Sequence, residues 1–188
     1  MRIISGYLKG RKITQPTSKN TRPLKDLTKE SLFNILQHDN LINFDFKEST
    51  ILDLFCGVGS FGLECISRGA KNVIFCENYP ETIKILNKNI NDLNCEKKTQ
   101  VITKNAFKIK KLNELSKSKF EVIFLDPPYR EKNLNDLLED IIYLKLLKKN
   151  GVIILHRHKN QKEVYPKELK ILKIKNYGIS KIIFGLIS

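Results

Sequence analysis

Four residues, Asp126-Pro127-Pro128-Tyr129, close the apolar run Phe120-Glu121-Val122-Ile123-Phe124-Leu125. Proline fixes its own φ and keeps the residue before it out of the helical region. Asp126 and Pro127 are therefore held extended, and a carboxylate and a backbone carbonyl can point into one pocket. Two acceptors beside the ring of Tyr129 suit a flat base carrying an exocyclic amino group, and the chemistry would be activation of that amine. The plain alternative is a rigid strand-to-helix turn with an incidental Tyr. At average composition such a tetrapeptide turns up in roughly one chain of this length per thousand, which favours the chemical reading.

A second segment supplies binding chemistry. The run Ile51-Leu52-Asp53-Leu54-Phe55 leads into Cys56-Gly57-Val58-Gly59-Ser60-Phe61-Gly62, a literal GxGxxG. Glycines there allow a tight turn and close approach of a ligand to the backbone. Asp53 lies in an apolar strand, where an unpaired carboxylate is expensive. A cationic ligand would offset that expense, and the ammonium group of S-adenosylmethionine is one. A nicotinamide dinucleotide needs the helix N-terminus clear for its pyrophosphate, which a nearby carboxylate opposes. Glu77, followed by Asn78, ends the run Asn72–Cys76 about two dozen residues after Asp53, where an acid can accept from ribose hydroxyls. Val101-Ile102-Thr103 leads to Asn105-Ala106, a place for an amide to meet the adenine amino group, although Asn in a post-strand turn is common without a ligand. Cys56 would line the same pocket.

These groups need a scaffold that brings strand ends together. Strand-like runs near 51–55, 72–76, 101–103, 120–125 and 152–155 alternate with helical stripes. The helices run over Ser60–Arg68, from Pro80 through Ile83, Leu86, Ile90 and Leu93, and through Leu134, Leu137, Leu138 and Ile141. This is the pattern of an α/β, doubly wound, mostly parallel sheet, in which sites form at the carboxyl ends of the strands. Two further strands, near 168–176 and 179–187, are joined by Tyr177-Gly178 with no room for a helix. They must pair antiparallel and bring the sheet to seven strands. Ahead of this core, residues 1–14 alternate around Gly6 and Gly10 as a hairpin, 15–23 form a polar loop, and Leu24–Gln37 reads as a helix. The expected organisation is one domain over 1–188, with an extension over 1–49 and a core over 50–188.

The net charge is +14, part of it the general lysine richness of the chain. Residues 1–30 alone carry Arg2, Lys9, Arg11, Lys12, Lys19, Arg22, Lys25 and Lys29 against Asp26 and Glu30. A basic segment ahead of the cofactor strand suits phosphate backbones. Cys56, Cys65, Cys76 and Cys95 show no CxxC pair, and His38, His156 and His158 make no metal-ligand spacing, so no metal is expected. No apolar stretch approaches a membrane span, and the start lacks a signal-peptide core, so the expected compartment is the reducing cytoplasm.

Taken in order, Asp53-Leu-Phe-Cys-Gly57-Val-Gly59, Glu77, Asn105-Ala106 and Asp126-Pro-Pro-Tyr129 resemble class I S-adenosylmethionine-dependent methyltransferases acting on amino nitrogens of bases. The segments Arg2-Ile-Ile-Ser-Gly-Tyr-Leu-Lys-Gly-Arg-Lys12, Thr21-Arg22-Pro23 and Lys29-Glu-Ser-Leu-Phe-Asn34 are similar to the bacterial 16S ribosomal RNA guanine-N2 methyltransferases of the RsmD type, and the likeness spans the chain. It implies Asp126, Pro127 and Tyr129 as catalytic residues. Asp53, Cys56, Gly57, Gly59, Glu77, Asn78, Asn105 and Ala106 would hold S-adenosylmethionine. Arg2, Arg11, Lys12 and Arg22 would contact 16S ribosomal RNA or the small subunit, with the protein acting as a monomer. Leu27 departs from the family pattern where Arg is usual, and His156 stands where an acidic residue is expected. A DNA adenine-N6 or cytosine-N4 methyltransferase, an inactive RNA-binding assembly factor and an NAD-dependent oxidoreductase are the alternatives. The first lacks room for a DNA-recognition domain, the second leaves the intact motifs without a purpose, and Asp53 opposes the third.

Overall fold

Strands β1 (Thr50–Leu54), β2 (Asn72–Cys76), β3 (Thr99–Ile102) and β4 (Phe120–Leu125) are short, and all but β3 are buried nearly throughout. That is the signature of strands covered on both faces. In the computed structural model, which describes residues 1–16, 26–42, 44–115 and 118–187, β1 pairs in parallel with β2 and β4, β2 with β3, and β4 with β5 (Leu147–His158), while β7 (Ser180–Ile187) pairs antiparallel with both β5 and β6 (Leu169–Tyr177). Among the described residues these make one seven-stranded sheet in the order β3-β2-β1-β4-β5-β7-β6. The expected topology holds, with one addition: β7 enters between β5 and β6 rather than at the rim.

Among the described residues α1 (Asp26–His38) precedes the sheet, and α2 (Ser60–Ser67), α3 (Pro80–Asp92) and α4 (Leu134–Tyr143) connect its strands. Residues alternate across the sheet with the strand period of two. Ile51, Val73, Phe75, Val122 and Phe124 face a cluster holding Leu63 of α2, Leu86 of α3 and Leu32 and Phe33 of α1. Leu52, Leu54, Ile74, Ile123 and Leu125 face the opposite cluster with Leu137, Leu138 and Ile141 of α4. All five parallel strands end on the same edge, and the chemistry collects there. Strand β5 is longer than its apolar run indicates, and it carries His156 and Arg157 into that edge.

The amino-terminal segment folds back on itself through a single antiparallel bridge, Arg2 with Lys12. Gly10 N–H donates to the Ile3 carbonyl and Ile3 N–H to the Arg11 carbonyl, both at 2.9 Å. It is bound to α2 by buried polar groups. Glu64, fully buried, accepts from the amides of Ile4 (2.8 Å) and Ser5 (2.9 Å) and pairs with Arg68 and with the equally buried Lys29 of α1. Lys29 also donates to the Arg2 carbonyl at 2.8 Å. Burial pulls the Lys29 ammonium below the ordinary lysine range, and the Glu64 carboxylate opposes that fall. Ile3, Leu8 and Ile13 share the core cluster of α1 and α2, so these residues ahead of β1 pack into the same core as the sheet.

Candidate active site

The glycine turn after β1 owes its shape to left-handed backbone. Phe55 (φ 59°), Gly57 (φ 56°) and Gly59 (φ 84°) all lie in that region. The glycines serve different ends. A Cβ on Gly62 would meet Phe75 Cε1 at 2.3 Å, so this glycine lets α2 lie against β2. A Cβ on Gly59 would meet Leu86 Cδ1 at 2.5 Å. A Cβ on Gly57 would meet nothing within 4 Å, so the turn is open on that side.

Beneath the turn, Asp53 is completely buried. Its Oδ2 accepts from Gly62 N–H at 3.0 Å, while its Oδ1 has no partner. Burial pushes the carboxyl well above the usual range, with the neighbouring charges of Asp126 and Glu77 adding to the rise and the Gly62 amide opposing it. An orphaned buried acceptor is rare, and three carboxylates around one open turn fit a ligand that carries a positive charge.

Glu77, at the end of β2, reaches back to the turn. Its Oε2 accepts from Gly57 N–H at 3.0 Å and its Oε1 from the amides of Asn78 (2.8 Å) and Tyr79 (3.0 Å). Asn78 is exposed beside it. Asn105 caps the short helical turn Ala106–Lys111, its Oδ1 accepting from Phe107 N–H at 2.9 Å. That bond uses one lone pair of the amide oxygen, which leaves the other, and the Nδ2 donor, for a base. Ala106 is buried beneath this turn, and the rings of Phe107 and Phe55 pack at 4.8 Å, tying it to the glycine turn. Cys56 is buried at the turn, and burial raises its thiol far above the usual range, which removes it as a nucleophile.

The proline turn leaves the neighbouring strand. Asp126 N–H donates to the Leu54 carbonyl at 3.3 Å, so the two turns face one cleft. Asp126 Oδ1 lies 2.8 Å from His156 Nδ1. The Tyr129 ring stands edge-on to His156 (6.0 Å between centroids) and His158 (5.5 Å). The carbonyl of Pro127 is not simply open to the cleft. It accepts from the fully buried Arg157 at 3.0 Å, and the same guanidinium donates to the carbonyls of Pro128 (3.2 Å), Glu131 (3.4 Å) and Tyr129 (3.5 Å). Glu163 pairs with Arg157 and accepts from the Tyr165 hydroxyl at 2.7 Å. An amine donating to Pro127 must use the lone pair that Arg157 leaves.

Similarity to known proteins now decides the family. The family model described as "Conserved hypothetical protein 95" matches residues 1–185. The chain belongs to this family. Several relatives of this conserved hypothetical protein 95 family member carry names. "Ribosomal RNA small subunit methyltransferase D" of Haemophilus influenzae is 33% identical over 180 residues, 95% of this chain and 90% of that protein. The protein of the same name from Buchnera aphidicola (subspecies Acyrthosiphon pisum) is 34% identical over 173 residues, 92% and 86% of the two chains. The solved structure described as "Putative methyltransferase yhhF from Escherichia coli" superposes with a TM-score of 0.83 at 25% identity, covering 98% of this chain and 96% of that one. The fold is that of class I methyltransferases.

The basic residues expected to meet RNA are placed differently from one another. Arg2 and Lys12 are bridged neighbours, both exposed, and with Thr14 and Asp26 they line a groove. Asn89 of α3 links this segment to the glycine turn: its Oδ1 accepts from Thr14 N–H at 2.8 Å, and its Nδ2 donates to the carbonyls of Thr14 and Val58, each at 3.1 Å. Arg11 donates to the Asp92 carbonyl at 2.5 Å, at the end of α3. Arg22 lies outside the described residues, as does most of the loop expected at 15–23. Leu27 is largely exposed at the start of α1. Among the described residues no group of three His, Cys, Asp or Glu is placed to hold a metal ion, and no helix is long and apolar enough to cross a membrane. Residue types alone do not reveal Asn89, His156 or Arg157. The one available signal is that Leu155-His156-Arg157-His158 directly continues the apolar run of a strand.

Proposed function

We propose that the protein transfers a methyl group from S-adenosylmethionine to the exocyclic N2 of a guanine in 16S ribosomal RNA, acting in the cytoplasm. The observation that carries this reading is the adjacency of two turns on paired strands. One holds a buried carboxylate with an unpartnered oxygen, and the other presents a carboxylate to the same cleft. Asp53 would take the ammonium group of the cofactor, Glu77 its ribose hydroxyls, and Asn105 its base. Bound there, S-adenosylmethionine supplies an electrophilic methyl group.

The guanine amine is a poor nucleophile because its lone pair is delocalised into the ring. Asp126 accepts one of its hydrogens, and the remaining lone pair of Pro127 accepts the other. Together they turn the nitrogen lone pair out of conjugation and towards the cofactor. As the nitrogen becomes positive, the Asp126 charge stabilises it and then receives the proton that the nitrogen releases. Tyr129 stacks on the base, which must leave its helix or loop to enter the cleft. Arg2, Lys12 and, by resemblance, Arg22 meet phosphates on the approach. The choice of guanine and of the small subunit rests on the named relatives, because an amine on adenine or cytosine satisfies the same two acceptors.

Asp126→Asn tests the reading. The amide keeps size and one acceptor oxygen, so affinities for cofactor and RNA should hold. Loss of the charge should slow single-turnover transfer of labelled methyl to 30S subunits by about a hundredfold to a thousandfold. A variant as fast as wild type would leave Asp126 a turn former only. Transfer to duplex DNA but not to 30S subunits or 16S RNA would overturn the substrate.

A further inference from the structure

We infer that His156 is a positioning residue for methyl transfer: its Nδ1–H commits one oxygen of Asp126 and aims the other at the amine. This rests on the proposed role of Asp126. The placement follows from strand register. Leu125 of β4 pairs with Leu155 of β5, so the next residues, Asp126 and His156, emerge side by side on the cleft edge. The His156 side chain is only 8% exposed, whereas that of Asp126 is 29% exposed. One end of the pair is therefore fixed in the protein and the other opens to the cleft.

The chemistry of the contact sets its direction. An ionised carboxylate carries no proton, so at 2.8 Å the hydrogen sits on His156 Nδ1 and Asp126 Oδ1 accepts it. With Oδ1 held, the carboxylate cannot rotate, and Oδ2 is the oxygen left for the amine. Holding a reacting group in one orientation before substrate arrives is worth more than adding another weak contact. His156 is itself confined. On β5 it alternates with Arg157, whose guanidinium holds the backbone of the proline turn from the other side. Across β7 its register partner is the apolar Ile182. The Tyr129 ring stands edge-on to it. Asp126 is the polar partner of His156 that the geometry provides.

Two near-isosteric substitutions separate aiming from bulk. The amide nitrogen of Asn reaches the position of Nδ1, and that of Gln reaches the position of Nε2. His156→Asn should keep single-turnover methyl transfer within about threefold of wild type. His156→Gln and His156→Ala should each lose about tenfold to a hundredfold, the usual effect of removing a hydrogen bond to a charged group, with cofactor and RNA affinities unchanged. In an Asp126→Asn background, His156→Gln should cause no further loss, because a residue that acts through Asp126 has nothing left to aim. Equal rates for the Asn and Gln variants would overturn the inference, as would a further full loss in the Asp126→Asn background. If Asp126→Asn is slow while every His156 variant is fast, only the positioning role is lost. If Asp126→Asn is as fast as wild type, the catalytic reading itself fails and this inference with it.

Discussion

The turns that follow β1 and β4 leave adjacent strands and face one cleft, yet they are built in opposite ways. The β1 turn is made of glycines, keeps left-handed backbone at Phe55, Gly57 and Gly59, and sits over a carboxylate with an unpartnered oxygen. The β4 turn is made of prolines, and its carbonyls are gathered by one buried guanidinium. Under the proposed function, the first would be completed by the cofactor and the second is finished before anything binds, as suits a cofactor that is admitted and released while the group that orients the amine stays still.

The largest effect should come from removing the clamp on the proline turn. Arg157→Met takes the guanidinium away from the mostly buried Glu163 carboxylate and from the buried Pro127 carbonyl. Breaking a buried ion pair in this way costs about 3–5 kcal/mol, which for a chain of this size is roughly 6–20 °C in melting temperature. A differential scanning measurement showing no shift would mean that the turn does not depend on Arg157.

The glycine turn should respond to its carboxylate in the opposite sense. Asp53→Asn should weaken cofactor binding by about tenfold to a hundredfold, the loss of one charged hydrogen bond, without lowering stability. The folded state raises the Asp53 carboxyl while the unfolded chain keeps the ordinary value. Wild type therefore loses stability as pH rises through the unfolded value towards the folded one, and Asn does not. The melting temperature of Asp53→Asn should gain on wild type from acid to neutral pH. A gap that shrinks instead would show the carboxylate to be paired in the free protein. Calorimetric titration measures the affinity.

Within that turn, two alanine substitutions should separate packing from opening. Gly62→Ala drives a methyl into Phe75, and overpacking of this kind costs about 1–3 kcal/mol of stability. Gly57→Ala meets no atom, so only its left-handed backbone resists, at about 1 kcal/mol. Its main effect should be on cofactor affinity. Equal stability losses would erase the distinction between the glycines. The smallest effect is expected at the rim. Arg2→Gln with Lys12→Gln should lower the salt slope of RNA binding by about one unit for each phosphate no longer neutralised, with cofactor affinity unchanged. An unaltered slope in a filter-binding series would place both residues off the RNA path.

Much of the fold, and part of the proposed site, is legible from residues alone. Asp53 is readable because a carboxylate inside an apolar strand breaks a local rule. Asp126 is readable because prolines pin it at a strand end. The alternation of short apolar runs with helical stripes carries the parallel sheet, and Tyr177-Gly178 carries the antiparallel pair. The clamp is not legible. Arg157 reads as a solvated charge, and its burial depends on carbonyls that a turn nearly thirty residues earlier delivers to it. His156 stands out as a departure from the family pattern, but its partner does not, because that is fixed by register between β4 and β5, which no local pattern reports. Asn105 shows the converse: its type and place after a strand are readable, but not the helical turn that it caps through its amide oxygen. Glu64 could have been found, as the single acid among the apolar residues of α2.

The place of β7 has a consequence for synthesis. The ribosome makes β6 before β7, yet among the described residues β6 hydrogen-bonds to the sheet through β7 alone. Until Ser180–Ile187 emerges, β6 has no strand to join, and the long strand β5 shows its outer edge to whatever is near. Such an edge is a template for pairing with another chain. The nascent protein therefore carries a sticky margin next to its finished half, and the insertion of one late strand seals two edges in a single step.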